Sequence, residues 1–127
     1  MQPIPEEAKT LKSTVTLKKN HEFRRLYSKG NSSAAPCMVV YCRKSKRQNN
    51  RIGYTVSNKV GHAVVRNRIR RRLREIYRLH EAELLTGYDI VIVARMRAAL
   101  ADYARLEREF LKCAQKLGLM NMREDNS

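Results

Sequence analysis

Seven arginines fall within the thirteen residues Arg66–Arg78. A guanidinium is a planar fork that makes bidentate hydrogen bonds to phosphate and stacks on bases. A cluster this dense therefore suits a polyanion. Glu75 is the one acid in the stretch, so few i,i+4 partners relieve the mutual repulsion. The stretch is no free basic tail either. At about 100° per residue, Val65, Ile69, Leu73, Ile76 and Tyr77 share one arc of roughly 120°, the pattern of a helix packed on a core. With Arg66 set to zero, Arg70, Arg74 and Asn67 follow at about 40°, 80° and 100° and form one polar wall. Arg71 and Arg78 lie further round, and Arg68 with Arg72 occupies the far edge at about 200–240°. The helix thus offers two basic surfaces with Glu75 between them. A solvated basic helix is the bland reading of the same residues, but the charge density favours a nucleic-acid surface.

Groups that could carry out hydrolysis are not gathered anywhere. A protein nuclease needs clustered carboxylates for metal ions, or a His and Lys pair for acid–base work. The 12 acids are spread over helix surfaces, caps and termini. Asp102 reads as a helix cap and Asp89 as a strand-entry residue. The 3 cysteines, Cys37, Cys42 and Cys113, have no metal-ligand spacing, and their odd number argues against a disulfide framework. Cys37 and Cys42 are expected on opposite faces of one strand, and all three as free thiols in a reducing cytoplasm. His21, His62 and His80 have no partner at ligand spacing. There is no P-loop, nucleophile elbow or dinucleotide fingerprint. The expectation is a binding protein with no catalytic residue and no metal site of its own.

The whole chain is basic: 127 residues carry 27 Lys and Arg against 12 acids, a net charge of +15 and a pI near 10.3. That length makes one domain with a real core. Such a field suits RNA, DNA or an anionic membrane. Membrane is the weakest of these. Met1–Lys9 has two Pro, two Glu and no apolar run, so no secretory signal is expected, and the run Ile90–Ala94 is far too short to span a bilayer.

The elements that must carry the arginine helix can be read from period and punctuation. Residues 1–13 read as a flexible N-terminal segment, 14–118 as the domain and 119–127 as a flexible C-terminal tail. Asn20–Gly30 reads as a short helix, with Asn20 as its cap, Gly30 closing it in a left-handed conformation, and Phe23, Leu26 and Tyr27 as its apolar stripe. Pro36–Arg43 reads as a strand. The polar loop Lys44–Asn50 then suits a turn between antiparallel strands. Arg51–Ser57 alternates Ile52, Tyr54 and Val56 toward the core against Gly53, Thr55 and Ser57, a small and unobstructed face. The arginine helix runs from about Ala63 to Leu84. Tyr88–Arg95, apolar throughout, suits a central strand, and a last helix begins at Asp102 and stops at Gly118. The order α, β, β, α, β, α gives an α+β sandwich with helices against one small sheet.

Arg66-Asn67-Arg68-Ile69-Arg70-Arg71-Arg72-Leu73-Arg74-Glu75 resembles the arginine-rich signature of the protein subunit of bacterial ribonuclease P. The similarity extends through Gly53–Val65, Leu17–Phe23 and Asp89–Arg95, four blocks in register from about Thr16 to Leu117. Departures are small. Lysine is more usual at Arg70 and Asn58, and asparagine at His62. The resemblance implies the protein part of a ribonucleoprotein endonuclease that removes the 5′ leader of precursor tRNA. Its RNA subunit, with bound Mg2+, performs the hydrolysis, one protein to one RNA. It further implies a mixed sheet of about four strands with three helices and a left-handed βαβ crossover, a fold shared with a ribosomal protein domain. The general rule would have predicted a right-handed crossover.

On the same resemblance, Phe23, Tyr27 and Tyr41 line a groove for the leader, with Arg66, Asn67, Arg70 and Arg74 as its basic wall. Spacing alone would favour core packing for Phe23 and Tyr27. Lys59, Arg68, Arg71, Arg72 and Arg78 then face the RNA subunit. Two rivals remain: a ribosomal protein or RNA chaperone with no part in cleavage, and a DNA binder with the arginine helix in the major groove. The second lacks a partner helix a short turn away.

Overall fold

The computed structural model describes residues 14–121. In chain order these form β1 (Val15–Thr16), α1 (Asn20–Lys29), β2 (Asn31–Ala34), β3 (Met38–Lys44), β4 (Arg51–Thr55), α2 (Ala63–His80), β5 (Tyr88–Ala94) and α3 (Tyr103–Lys116). Single 3-10 turns at Glu81–Glu83 and Met96–Ala99 follow α2 and β5. The strands make one mixed sheet in the order β1-β4-β5-β3-β2. The α+β architecture and the three helices are as expected; β1 and β2 bring the sheet to five strands.

β3 and β4 are not neighbours, although the polar loop between them suggests it. β5 lies between the two, antiparallel to β3 and parallel to β4. The reason is burial on both faces. Ile90, Val91 and Ile92 are all fully buried, which an edge strand cannot provide, so β5 takes the centre.

Alternation along each strand divides the core. Met38, Val40, Cys42, Ile52, Ile90 and Ile92 face α2 and α3 and join the larger apolar cluster. Val91 faces the other way and packs with Leu17 and Leu26 under α1, with Phe23 and Tyr41 at its margin. On α2 the apolar arc is as expected: Ile69, Leu73, Ile76 and Tyr77 are buried, and Val65 packs against them. Truncating any of these four to Ala would cost about 2–5 kcal/mol.

Several local expectations change. Lys19, not Asn20, occupies the N-cap position of α1, and no side chain caps that end. Gly30 is extended, at φ −83°; glycine is needed there because a Cβ would lie 2.7 Å from the Leu26 carbonyl oxygen and 2.9 Å from that of Cys42. Gly118, at φ +73°, does end α3 in the left-handed region. Asp102 caps α3 by accepting from the Arg105 amide at 2.9 Å. Cys37 precedes β3 and is buried in the same cluster as Cys42, because its backbone N–H turns toward Glu109 (2.8 Å) and breaks the alternation. Tyr41 keeps the alternation and packs on the opposite face, at the margin of the cluster under α1. Leu119 is fully buried and its carbonyl accepts from the Leu85 amide at 2.7 Å, so chain order continues past the expected start of the tail. The flexible segment expected over 1–13 lies outside the described residues.

A buried polar knot fixes where β1 lies. The Thr14 hydroxyl bonds to the Tyr77 hydroxyl at 2.9 Å and to the Glu81 carboxylate. Asn50 Nδ2 donates to the same phenol oxygen at 3.3 Å, and Asn50 Oδ1 accepts from the Tyr88 amide at 2.8 Å. Because every group is paired, the knot is a stabilising anchor rather than a burial penalty.

Candidate nucleic-acid interface

β1 covers only Arg51 and Ile52 of β4, so Gly53–Thr55 has no strand neighbour on that side. Helix α1 lies on one sheet face and α2 on the other, and both overhang this open edge. Between them runs a cleft of about 440 Å3, floored by Leu17, Phe23, Ile52 and Tyr54 and walled by Arg70, Arg71, Arg74 and Arg78. A shallower groove continues it past Asn20, Arg24, Tyr27 and Thr55, sharing Phe23, Tyr54 and Arg70.

Glycine makes the aromatic side possible. A Cβ at Gly53 would sit 2.7 Å from two carbons of the Phe23 ring, so the small face of β4 is where that ring rests. Phe23 and Tyr27 are 6.5 Å apart between centroids at 47°. Tyr27 meets Tyr41 edge-on at 5.0 Å and 66°. The Tyr27 hydroxyl bonds to Thr55 Oγ1 at 2.9 Å, which holds the ring while 40% of the residue stays exposed. Tyr41 stands behind Tyr27, partly buried, and does not line the cleft itself. Helix α1 is pinned to the sheet by Arg51, which reaches Glu22 at 2.5 Å and Asp89 at 2.8 Å. The hydrogen bond from Arg51 holds the Glu22 carboxyl below its ordinary pKa.

The arginines divide by what lies within reach. Arg66 Nε donates to the Gly61 carbonyl at 3.2 Å. Arg70 donates to Asn67 Oδ1 at 3.2 Å and to the Val56 carbonyl at 3.4 Å. Arg78 forms an ion pair with Glu75. On the far edge of α2, Arg68 reaches the Ala99 carbonyl at 3.0 Å and Arg72 the Ala101 carbonyl at 3.2 Å. Arg71 and Arg74 are exposed and make no hydrogen bond or ion pair among the described residues.

Of the wall expected from the helical wheel, Arg70 and Arg74 line the cleft. Arg66 and Asn67 sit at the start of α2 and act on its geometry, since Asn67 orients Arg70. Arg71 and Arg78, expected on the edge facing the RNA subunit, instead line the cleft beside Arg74. On the wheel these two lie next to the wall, at about 140° and 120°, and a long arginine side chain carries its head from there into the cleft. Arg68 and Arg72 do lie on the opposite edge, and Lys59 is exposed in the turn before α2.

Tyr54 is a lining residue that sequence pattern misses, because its alternation with Ile52 and Val56 marks it as core. It is both: it packs against the larger cluster and shows its outer side to the cleft. Burial pushes its phenol pKa up, so it is a neutral hydroxyl at any working pH. Thr16 and Leu17 escape the same pattern because a two-residue strand leaves no period to read.

Acids near the cleft are all committed. Glu75 is paired with Arg78, and Glu22 and Asp89 with Arg51. Among the described residues no three of His, Cys, Asp or Glu come together in a way that could hold a metal ion. Among the described residues no helix is long and apolar enough to cross a membrane.

A family model described as Ribonuclease P matches residues 11–118. The chain belongs to the ribonuclease P protein family. The protein component from Natranaerobius thermophilus is 42% identical over 106 residues, which is 84% of this chain and 92% of that relative. That from Alkaliphilus metalliredigens is 40% identical over 111 residues, 87% of this chain and all of that one. Among solved structures, the Staphylococcus aureus RNase P protein superposes with a TM-score of 0.78 at 34% identity, covering 84% of this chain and 97% of that one. The Thermotoga maritima RNase P protein gives 0.70 at 28% identity, covering 76% and 92%. The matched span takes in all four sequence blocks and every element of the cleft.

Proposed function

We propose that the cleft between α1 and α2 holds the single-stranded 5′ leader of precursor tRNA, with the chain acting as the protein subunit of ribonuclease P. The observation that carries this is the pairing of a half-buried Phe23 and an exposed Tyr27 with the uncommitted guanidinium groups of Arg71 and Arg74 across an open strand edge. Base stacking plus a basic wall is how single-stranded RNA is gripped without strict sequence demands. Arg70 and Arg78, each already bonded within the protein, serve as fixed charges beside the strand, and Tyr54 offers a hydroxyl. Arg66 and Asn67 shape the wall, and Tyr41 buttresses Tyr27.

The acids beside the cleft are held in ion pairs with Arg51 and Arg78, and phosphodiester hydrolysis is assigned to the RNA subunit and the Mg2+ bound there. The protein partners that RNA, one to one, in the cytoplasm. Arg68, Arg72 and Lys59 face it from the outer edge of α2. The test is reconstitution with a bacterial ribonuclease P RNA at low Mg2+, scoring precursor cleavage. The protein should stimulate cleavage, and do so more for substrates with a leader than without. Stimulation absent, or equal with and without a leader, overturns the reading; RNA binding with no effect on cleavage would indicate a chaperone.

A further inference from the structure

Charge is not confined to the cleft. Along α3, Arg108, Lys112 and Lys116 recur every four residues, a row about 12 Å long on one side of the helix. All three are exposed, and none makes an ion pair or hydrogen bond among the described residues. The row faces the outer strand β2 and its exit across a groove of about 300 Å3, whose other wall is the small run Ser33–Pro36. Glu109, the acid in this groove, is committed: it accepts from the Cys37 amide at 2.8 Å and pairs with Arg105 at 2.9 Å. It does not neutralise the row.

Position separates this groove from the cleft. β2 closes the sheet at the end opposite β1 and β4, three strand spacings or about 14 Å from β4. A strand of RNA lying along the open edge of β4 cannot reach the α3 row without turning around the domain. We propose that the α3–β2 groove is a second RNA-backbone site, and that it holds a segment of the RNA subunit while the cleft holds the leader. This rests on the function proposed above.

The side chains on offer are three cations and the Ser33 hydroxyl, which suit phosphate oxygens and read no base. The opposing wall is small, so a sugar–phosphate backbone can come close to the cations. Charges beside an edge strand can also discourage pairing between copies. That role is normally carried by the strand itself, and β2 (Asn-Ser-Ser-Ala) carries no charge.

The variant Arg108→Gln/Lys112→Gln/Lys116→Gln tests this through binding of the RNA subunit alone, without substrate, over a range of salt. Affinity should fall, and the slope of log K against log salt should flatten by about 2, at about 0.7 for each phosphate no longer neutralised. The assembled enzyme should keep its preference for precursor over mature tRNA. Unchanged affinity and slope would overturn the proposal. As a second measurement, Cys37, Cys42 and Cys113 are all buried, so a photocrosslinker on Lys112→Cys labels one place. Crosslinks to the RNA subunit are expected; crosslinks to the leader alone, to a second copy of the protein, or none at all, overturn it. If the unaltered protein fails to bind the RNA subunit, the parent reading fails instead.

Discussion

The two edges of α2 carry the same residue type and use it differently. Arg68 and Arg72 reach back to the Ala99 and Ala101 carbonyls and clasp the segment after β5. Arg71 and Arg74 have no protein partner among the described residues and project into the cleft. A guanidinium bonded to its own backbone has a fixed orientation and fewer free N–H groups. An unbonded one keeps its whole fork for phosphate, at the cost of ordering a long side chain on binding. Arginine density therefore overstates how much of a helix is free to bind RNA, and only the location of nearby carbonyls separates the two kinds.

The junction of cleft and core is the position most sensitive to substitution. Gly53→Val should destabilise the fold by about 3 kcal/mol, the upper end for overpacking, because the Phe23 ring has nowhere to go. Urea unfolding measures it, and leader preference should vanish with it in the folded fraction. A tolerated valine would mean that α1 is not seated on β4. Next, Arg68→Ala should lower stability by about 1.5 kcal/mol, the low end for a hydrogen bond to a charged group, since its Nε is already buried without a partner. If stability were untouched, the far edge would be as free as the cleft edge.

On the cleft side, Tyr27→Ala should weaken binding of leader-bearing precursor by about 1–3 kcal/mol if a base stacks there, with mature tRNA little affected. Arg74→Ala should leave stability within about 0.5 kcal/mol and lower the salt slope for precursor binding by about 0.7; a stability loss like that of Arg68→Ala would erase the distinction between the edges.

The smallest effect concerns pH. Burial lowers the His80 pKa, but its hydrogen bonds to Glu107 and Glu83 outweigh burial and leave it raised. A raised folded value means that the protonated staple between α2 and α3 stabilises fully below the unfolded pKa, about 6.5. That contribution disappears as pH rises through the folded value. Melting temperatures should show this decline, and His80→Gln should abolish it. Precursor binding through the cleft should not follow the same titration.

Much of the fold is legible in the order of residues. The α2 stripe, the central place of β5, the Asp102 cap and the Gly118 stop follow from periodicity and local backbone preference, which act over a few residues. The pairing of β3 with β4 is misread because a turn-forming loop shows that two strands reverse direction, and not whether a third lies between them. Gly30 is misread because a glycine needed for close approach and one needed for a left-handed turn look identical in sequence.

The limit falls in the same place for the site. Local pattern is enough to establish an amphipathic arginine helix, aromatic residues on α1, a glycine-marked small face on β4 and the scatter of the carboxylates, since each depends on neighbours along the chain. Tertiary structure alone decides that Phe23 fills the space above Gly53, that β1 stops short and leaves the β4 edge open, and that Arg71 and Arg78 turn into the cleft. These outcomes depend on which distant carbonyls, carboxylates and strand edges come within a few ångströms of a long, flexible side chain. That proximity is set by the packing of the whole sheet and its helices, and no short window of sequence contains it.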